Sequence, residues 1–360
     1  MKGAFISDCE GPISKNDNAF EVMAHYVPRG DKIFSIISKY DDLLSDILNR
    51  PCYRSGYTLK LILPFLKAYG VTNRKMREFS ARNLLLIPNV KDSFTYIRRI
   101  TKAFIVSTSY EHYIKAVCHA IDFPYENTYS TKVNVDDYVL PEEENEKLKE
   151  LAFEISTMPI IKIPSKPTLL SNLPDEQQNI VRRLDEIFGQ EFADMEAGKI
   201  FSKVNPIGGE QKACAVRDAA QKAGVRLSDL IYVGDSITDV DAFKLVKENG
   251  GLTVSFNGNE YAVRNAEIAI LSQHSIVTAI IADIFNRLGK QKTMELIEAW
   301  DYETLRRSPA DRLLINSLLK QHPEKLPKVK IVTRKNVQIL SEESNEFRKM
   351  VRGEAIGRLG

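Results

Sequence analysis

The sequence DLIYVGDSITDVDAF occupies residues 229–243 and carries the clearest structural signal in the chain. An apolar strand ends at Gly234, Asp235 follows it, and Asp239 lies four residues later at the start of a helix. Carboxylates gathered at a strand end repel one another unless a cation neutralises them. A few hard oxygen ligands with room for a phosphate are typical of a Mg²⁺ site. The alternative is a helix with acidic residues in its first turn.

A second acidic strand end lies near the N-terminus, in FISDCEGPI at residues 5–13. Asp8 and Glu10 follow an apolar strand at residues 3–7, and their spacing lets both project from the same strand end. Proteins with α/β folds bind ligands at the carboxyl ends of parallel strands. Asp8 and Glu10 are therefore candidate site residues, although taken alone such a pair is usually a solvated loop.

Small hydroxyl residues end a third apolar strand, AFIVSTSY at residues 103–110. The hydroxyls of Ser107 and Thr108, together with the N–H groups of the helix that follows, suit a phosphate oxygen. Serine and threonine are also ordinary helix caps.

Lys212 lies in the first turn of a predicted helix, after the two glycines of IGGEQKACAV at residues 207–216. The helix dipole disfavours a lysine at that position. A bound anion or nearby carboxylates would offset this cost, and the alternative is an exposed lysine.

Strands and helices alternate near the N-terminus and again in the segments that lead up to residue 290. This alternation predicts an α/β protein with a Rossmann-like three-layer core and a parallel sheet. The segments between the core pieces are a helical stretch and a second, less regular stretch with strand-like alternation at residues 128–140 and two amphipathic helices. We predict a core at 1–14, 100–135 and 206–290, a helical cap at 15–99, a second cap-like α+β insertion at 136–205, and a helical C-terminal extension with a loose tail at 291–360.

The order of these segments resembles the haloacid dehalogenase superfamily, and most closely its phosphoserine phosphatase-like members of archaeal type. The resemblance covers about 2–14, 101–123 and 206–288, and most members of the superfamily are phosphatases. The helical stretch at 15–99 resembles the cap that such members carry over the site. Two lids over one site would favour a small substrate.

The resemblance implies a role for each candidate residue. Asp8 would attack phosphorus and form an aspartyl phosphate. Glu10 would protonate the leaving oxygen and then activate water. Ser107 and Thr108 would bind the phosphoryl group, and Lys212 would neutralise charge on that group and on Asp8.

The implied cofactor is Mg²⁺. Asp8, the backbone carbonyl of Glu10 and Asp235 would be its ligands, and Asp239 would bind the ion or its waters. Two positions depart from the superfamily pattern, which has Asp where Glu10 stands and often Thr or Val where Pro12 stands. The longer side chain moves the carboxyl by about 1.5 Å.

Composition limits the functional classes. With 50 basic and 48 acidic residues the chain lacks the basic excess of a nucleic-acid binder. Four cysteines without a CxxC pair indicate free thiols. No signal peptide and no apolar stretch long enough for a bilayer are apparent, so we expect a cytoplasmic protein without membrane insertion. Four cap residues could contact a substrate anion: Arg29, Arg50, Arg54 and Tyr57.

The favoured function is that of a Mg²⁺-dependent phosphatase or phosphotransferase acting on a small-molecule phosphate ester. The rival interpretation is a non-catalytic accessory subunit, for example of an archaeal energy-converting hydrogenase complex, because Glu10, the second insertion and the charged extension would fit a partner-binding module. Mutase or P-type activity is disfavoured. A homo-oligomer or a protein-complex partner is left open.

Overall fold

The computed structural model describes residues 3–164, 166, 168–357 and 359. Within these residues seven strands form one sheet in the order β3-β2-β1-β4-β5-β6-β7. The strands are β1 (Ala4–Ser7), β2 (Lys102–Tyr110), β3 (Thr128–Thr131), β4 (Leu230–Gly234), β5 (Leu252–Phe256), β6 (Ile268–Leu271) and β7 (Lys328–Ile331). The first six are parallel and β7 pairs antiparallel with β6. The predicted α/β class with a Rossmann-like core is confirmed.

The helices are α1 (Asn18–Tyr26), α2 (Gly30–Asp42), α3 (Thr58–Ala68), α4 (Asn73–Arg82), α5 (Val90–Ile100), α6 (Glu111–Ala120), α7 (Glu142–Thr157), α8 (Asp175–Gly189), α9 (Lys199–Lys203), α10 (Glu210–Ala223), α11 (Val240–Glu248), α12 (Glu260–Asn265), α13 (Ile276–Glu298), α14 (Tyr302–Arg307), α15 (Arg312–Gln321), α16 (Val337–Arg352) and α17 (Glu354–Gly357). A π-helical turn at Leu43–Ile47 follows α2 directly.

Helices cover both faces of the sheet, so its central strands are apolar throughout. Successive residues of a strand point to opposite faces. Phe5 packs with α5, α6 and α13 on one face, whereas Ile6 packs with α10 and α11 on the other. The register places Ser7 beside Ile105 of β2 and Val233 of β4. The carboxyl ends of β1, β2 and β4 therefore meet at one edge of the sheet.

The two insertions pack against each other as one unit, here called the cap. Helices α1 to α3 and helices α7 to α9 share a single hydrophobic cluster, although more than fifty residues separate them in the chain. Tyr40 donates a hydrogen bond to Asp185 at 2.6 Å, and Arg50 binds the same carboxylate through two nitrogens at 2.6 and 2.8 Å. The two predicted lids are therefore a single body.

Two predictions about these insertions need correction. The 136–205 segment was expected to be α+β, but its described residues contain helices and no strand, because the alternating pattern ends as a strand at Thr131. The cap boundary at residue 99 lies one helix too late. Helix α5 packs on the core, where Phe94 meets Phe5 edge to face at 5.7 Å between ring centroids.

The C-terminal extension is more ordered than predicted. It contains β7, which extends the sheet, and α16 packs on α12 through Leu340 and Val263. The tail expected to be loose forms α17 and buries Leu359. Six positions of the predicted segments lie outside the described residues: Met1, Lys2, Ser165, Pro167, Arg358 and Gly360. In the part of the chain that is described, no helix is both long enough and apolar enough to cross a bilayer.

Candidate active site

Asp8 begins the site at the end of β1, in the middle of the sheet. Its backbone N–H donates to Val233 at 2.8 Å, and its Oδ1 accepts from the Cys9 N–H at 2.6 Å. Only 5% of the residue is exposed. Burial raises the pKa of Asp8 to about 7, against the opposing charge of Lys212. The strand end thus holds a fixed carboxylate that little water reaches.

Lys212 reaches this carboxylate from the first turn of α10. Its Nζ lies 2.5 Å from Asp8 Oδ2 and 2.7 Å from Asp239 Oδ1, and the residue is fully buried. Burial alone would lower the pKa of Lys212, but the carboxylates of Asp239 and Asp8 outweigh it and raise that pKa. Nearby carboxylates therefore offset the cost of a lysine at a helix N-terminus. This is one of the two compensations that the sequence analysis considered.

Asp239 has all its oxygen sites engaged by the protein. Besides Lys212, the Tyr232 hydroxyl donates to Oδ1 at 2.7 Å. The N–H groups of Asp235 and Ser236 donate to Oδ2 at 2.9 and 3.0 Å. A side chain on Gly234 would overlap this carboxylate, so the glycine of the GDS motif is a packing requirement. These contacts suit Asp239 to positioning Lys212 and the turn better than to direct metal binding.

Carboxylate oxygens of Asp8, Asp235 and Asp239 lie within 4.8 Å of one another, the one such group of potential metal ligands among the described residues. Hard oxygen donors of this kind fit Mg²⁺. Gly11, with a φ of +98°, lets the turn after β1 approach this group, because a Cβ there would overlap the Asp235 carboxylate. The donor set therefore fits the ion through Asp8 and Asp235.

The hydroxyl residues at the end of β2 differ in their freedom. Ser107 is buried and donates weakly to Ser109 at 3.2 Å, so its oxygen can turn to another acceptor. The Thr108 hydroxyl donates to the Ile207 carbonyl at 2.9 Å, which ties β2 to the loop before α10. Both residues line the cavity between core and cap.

Glu10 lies on the wall of the same cavity. Its Oε1 accepts from the Asn18 N–H at 2.8 Å, so the carboxylate sits at the N-terminus of α1. Burial, with a smaller contribution from Asp17, raises the pKa of Glu10 well above its usual range. The extra methylene relative to aspartate lets this carboxyl reach the first cap helix.

The cavity enclosed by the strand ends and the cap has a volume of about 100 Å³. Besides the predicted residues, it is lined by several that the sequence did not single out, among them Asp17, Asp41, Asp42, Arg348, Arg352 and Leu359. No motif marks them, because they come from cap helices and from the C-terminal extension.

Asp41 is the most constrained acidic residue of the cap wall. Its Oδ2 accepts from the N–H groups of Gly56 and Thr58 at 3.0 and 2.9 Å, and from the Thr58 hydroxyl at 2.8 Å. The carboxylate thereby joins the end of α2 to the start of α3. Burial, reinforced by Asp42, raises the pKa of Asp41 to about 7.

Helix α16 delivers two arginines to Asp235. Arg348 contacts Asp235 Oδ2 through Nη1 and also reaches its carbonyl at 3.3 Å. Arg352 Nη1 lies 3.0 Å from the same Oδ2, and its Nε donates to the Lys15 carbonyl at 2.9 Å. Both side chains are almost completely buried. Burial lowers the pKa of Arg348, and Asp235 opposes that effect.

The cap residues expected to contact substrate lie elsewhere. Arg50 is bound to Asp185, and Arg54 pairs with Glu210 at 3.1 Å. The guanidinium of Arg29 lies 5.9 Å from the centroid of the Phe153 ring, and the ammonium of Lys60 packs over the Tyr57 ring. None of the four lines the described part of the cavity wall. They hold the cap together and to the core.

Comparisons with known proteins agree with this architecture. The chain is similar over its full length to a gene product of Archaeoglobus fulgidus of known structure, with 27% identity, a TM-score of 0.79, and coverage of 100% of this chain and 99% of that one. It is more distantly similar to phosphoserine phosphatase in its apo form (11% identity, TM-score 0.43, 76% and 96% covered) and with bound substrate (12%, 0.45, 76% and 95%). No curated protein matches the chain.

The model of one protein family matches residues 85–284, which is more than half of the chain. These residues include the ends of β2 and β4 and the helix that carries Lys212. On this match the chain belongs to the family of haloacid dehalogenase-like hydrolases.

Proposed function

We propose that the protein is a Mg²⁺-dependent phosphatase or phosphotransferase that acts on a small phosphorylated metabolite through an aspartyl phosphate on Asp8. The observation that carries the proposal is the fully buried Lys212 ammonium, held 2.5 Å from Asp8 and 2.7 Å from Asp239 at the carboxyl edge of the sheet. Membership of a hydrolase family supports it.

In the first step an Asp8 carboxylate oxygen attacks phosphorus while the bond from phosphorus to the leaving oxygen breaks. Glu10 gives its proton to that oxygen, so the product leaves as an alcohol. In the second step Glu10 takes a proton from water, the water oxygen attacks phosphorus, and the Asp8–phosphate bond breaks to release phosphate. Transfer to an acceptor hydroxyl follows the same course.

Several residues stabilise the charge that accumulates during both steps. Lys212 is already placed against Asp8, so no reorganisation is needed when negative charge builds on the phosphoryl oxygens. Ser107 can give one hydrogen bond to that group. Asp8 and Asp235 would hold Mg²⁺, which supplies charge neutralisation and orientation of the phosphoryl group when bound.

The cap would exclude water and limit substrate size. A cavity of about 100 Å³ is far smaller than the roughly 300–1,000 Å³ of ordinary small-molecule pockets. This volume matches a phosphoryl group better than a whole ester, and opening of the cap would admit a larger substrate.

Hydrolysis of p-nitrophenyl phosphate and of a panel of small phosphate esters tests the proposal. We expect turnover that requires Mg²⁺, stops with EDTA and returns with added Mg²⁺. Asp8→Asn should lower kcat at least about a thousandfold, because the nucleophile is lost. Asp92→Asn, which changes an exposed aspartate of α5 in the same way, should leave kcat unchanged.

The rival function is that of a non-catalytic accessory subunit. The observation that favours it is the pair of arginines on Asp235, the carboxylate that a metal would need. A folded, Mg²⁺-loaded protein without turnover on any ester, together with a stable partner in a pull-down, would establish this function instead.

A further inference from the structure

Two buried arginines face the candidate metal ligand, and one of them has a side-chain nitrogen without a partner in the described part of the chain. Arg348 Nε has no partner among the described residues, although it is buried. Its Nη1 and that of Arg352 converge on a single oxygen, Asp235 Oδ2. A buried guanidinium donor without an acceptor is costly, so a further acceptor at this position would stabilise the site.

The charge on the cavity wall indicates the sign of that acceptor. Among the described residues that line the cavity, Arg348 and Arg352 are the only cations, and the acidic side chains are Asp8, Glu10, Asp17, Asp41, Asp42 and Asp235. Because acidic groups make up the rest of the charged lining, an anionic substrate is attracted where the two arginines of α16 lie. The two arginines are thus placed to receive an anion.

A metal ion on Asp235 would change what the arginines bind. Asp235 Oδ2 cannot serve a divalent cation and two guanidinium groups equally, because the three positive charges would repel one another at these distances. The anchor of Arg352 does not depend on Asp235, since its Nε holds the Lys15 carbonyl and its Nη2 contacts the Asn16 carbonyl. Its Nη1 can therefore change acceptor while the helix stays in place.

We propose that Arg348 and Arg352 are substrate-binding residues: they neutralise Asp235 in the metal-free site and bind the oxygens of the phosphoryl group once Mg²⁺ has taken Asp235. This inference rests on the proposed function. The planar guanidinium matches two phosphoryl oxygens at once, which a lysine cannot do. The small cavity favours the phosphoryl group itself over a second anionic group of the substrate.

Calorimetric titration of the full chain tests this role with two probes, Mg²⁺ alone and then orthovanadate added to the Mg²⁺-loaded protein. The variants are Arg348→Gln and Arg352→Gln. The control is Lys349→Gln, which removes a positive charge from the same helix where Lys349 pairs with Glu346. Arg348→Lys keeps the charge and loses the planar fork, and it replaces Arg348→Gln if that variant does not fold.

We expect each arginine variant to bind vanadate about tenfold more weakly or worse, with Mg²⁺ binding unchanged or tighter, and the control to match wild type. Unchanged vanadate affinity would overturn the inference. Tighter vanadate binding by the arginine variants would also overturn the inference, and it would indicate that α16 hinders substrate binding. A wild-type protein that binds no vanadate with Mg²⁺ present would reject the proposed function as well, so the two failures are distinguishable.

Discussion

The two walls of the candidate active-site cavity are built in different ways. On the strand-end wall, Asp8 is locked in place by Lys212, which is fully buried with Asp239 and does not line the cavity, and both carboxylates have a defined donor. On the opposite wall, acidic cap residues face two arginines that come from a helix more than 300 residues from Asp8. The first wall is organised before any substrate binds, whereas the second depends on the cap and on α16 meeting correctly.

The largest effect that would test this contrast is expected at Lys212. Lys212→Gln leaves Asp8 and Asp239 facing each other in a buried site, and it should lower the free energy of unfolding by about 3–5 kcal/mol. Lys222→Gln on the same helix, where the lysine is exposed and pairs with Asp218, should change it by no more than about 0.5 kcal/mol. Urea denaturation measures both, and equal effects would mean that the strand-end wall is not locked.

A smaller effect is expected at Asp41 of the cap wall, and it depends on pH. Because the pKa of Asp41 is raised to about 7, the folded protein keeps a proton that the unfolded chain loses above pH 4 or so. This contribution to stability is complete at low pH and is lost as the pH rises to about 7. Asp41→Asn should remove it, changing the pH slope of the free energy of unfolding by up to about 1.4 kcal/mol per pH unit.

Thermal denaturation of wild type and Asp41→Asn between pH 5 and 8 would show this as a stability difference that grows in favour of the variant. Asp31→Asn, on the exposed first turn of the same helix, serves as the control. Parallel pH profiles for wild type and Asp41→Asn would show that Asp41 is ionised throughout. The cap wall would then be as well ordered as the strand-end wall.

The smallest effect concerns the contact that joins the two insertions. Arg50 and Asp185 form a two-point ion pair that is about one-third exposed, so a double-mutant cycle with Arg50→Gln and Asp185→Asn should give a coupling of about 0.5–1 kcal/mol. The exposed pair Arg74 and Glu78 provides the comparison, with a coupling of about 0.3 kcal/mol expected. If the two pairs gave equal coupling energies, the ion pair would not contribute specifically to the contact between the insertions, and the hydrophobic cluster alone would hold them together.

The sequence was informative wherever short apolar strands end in polar residues. Asp8, Ser107 and Asp235 were predicted because a parallel sheet brings such ends together, and all three line one cavity. Lys212 was predicted from its unfavourable place in a helix, and it contacts Asp8. For these residues the neighbours in the chain also determine the position in space.

Arg348 and Arg352 could not be found in this way, because arginines on an amphipathic helix normally face water and nothing nearby in the sequence marks these two as buried. The predicted cap boundary at residue 99 was wrong for a related reason. The apolar stripe of α5 shows that one face is covered, but it does not show whether the cap or the core covers it. The positions of these elements depend on tertiary contacts alone.

The shared cluster of the two insertions has a consequence for synthesis on the ribosome. Helices α1 to α3 cannot complete the burial of their apolar faces until α7 to α9 have been made, and β1 lacks its neighbour β4 until about residue 230. About 340 residues separate Asp8 from Arg348, which at roughly 5–20 residues per second takes on the order of 20–70 s. The nascent chain therefore carries Asp8 for most of its synthesis without the candidate site around it, and exposed cap helices are what a chaperone would meet first.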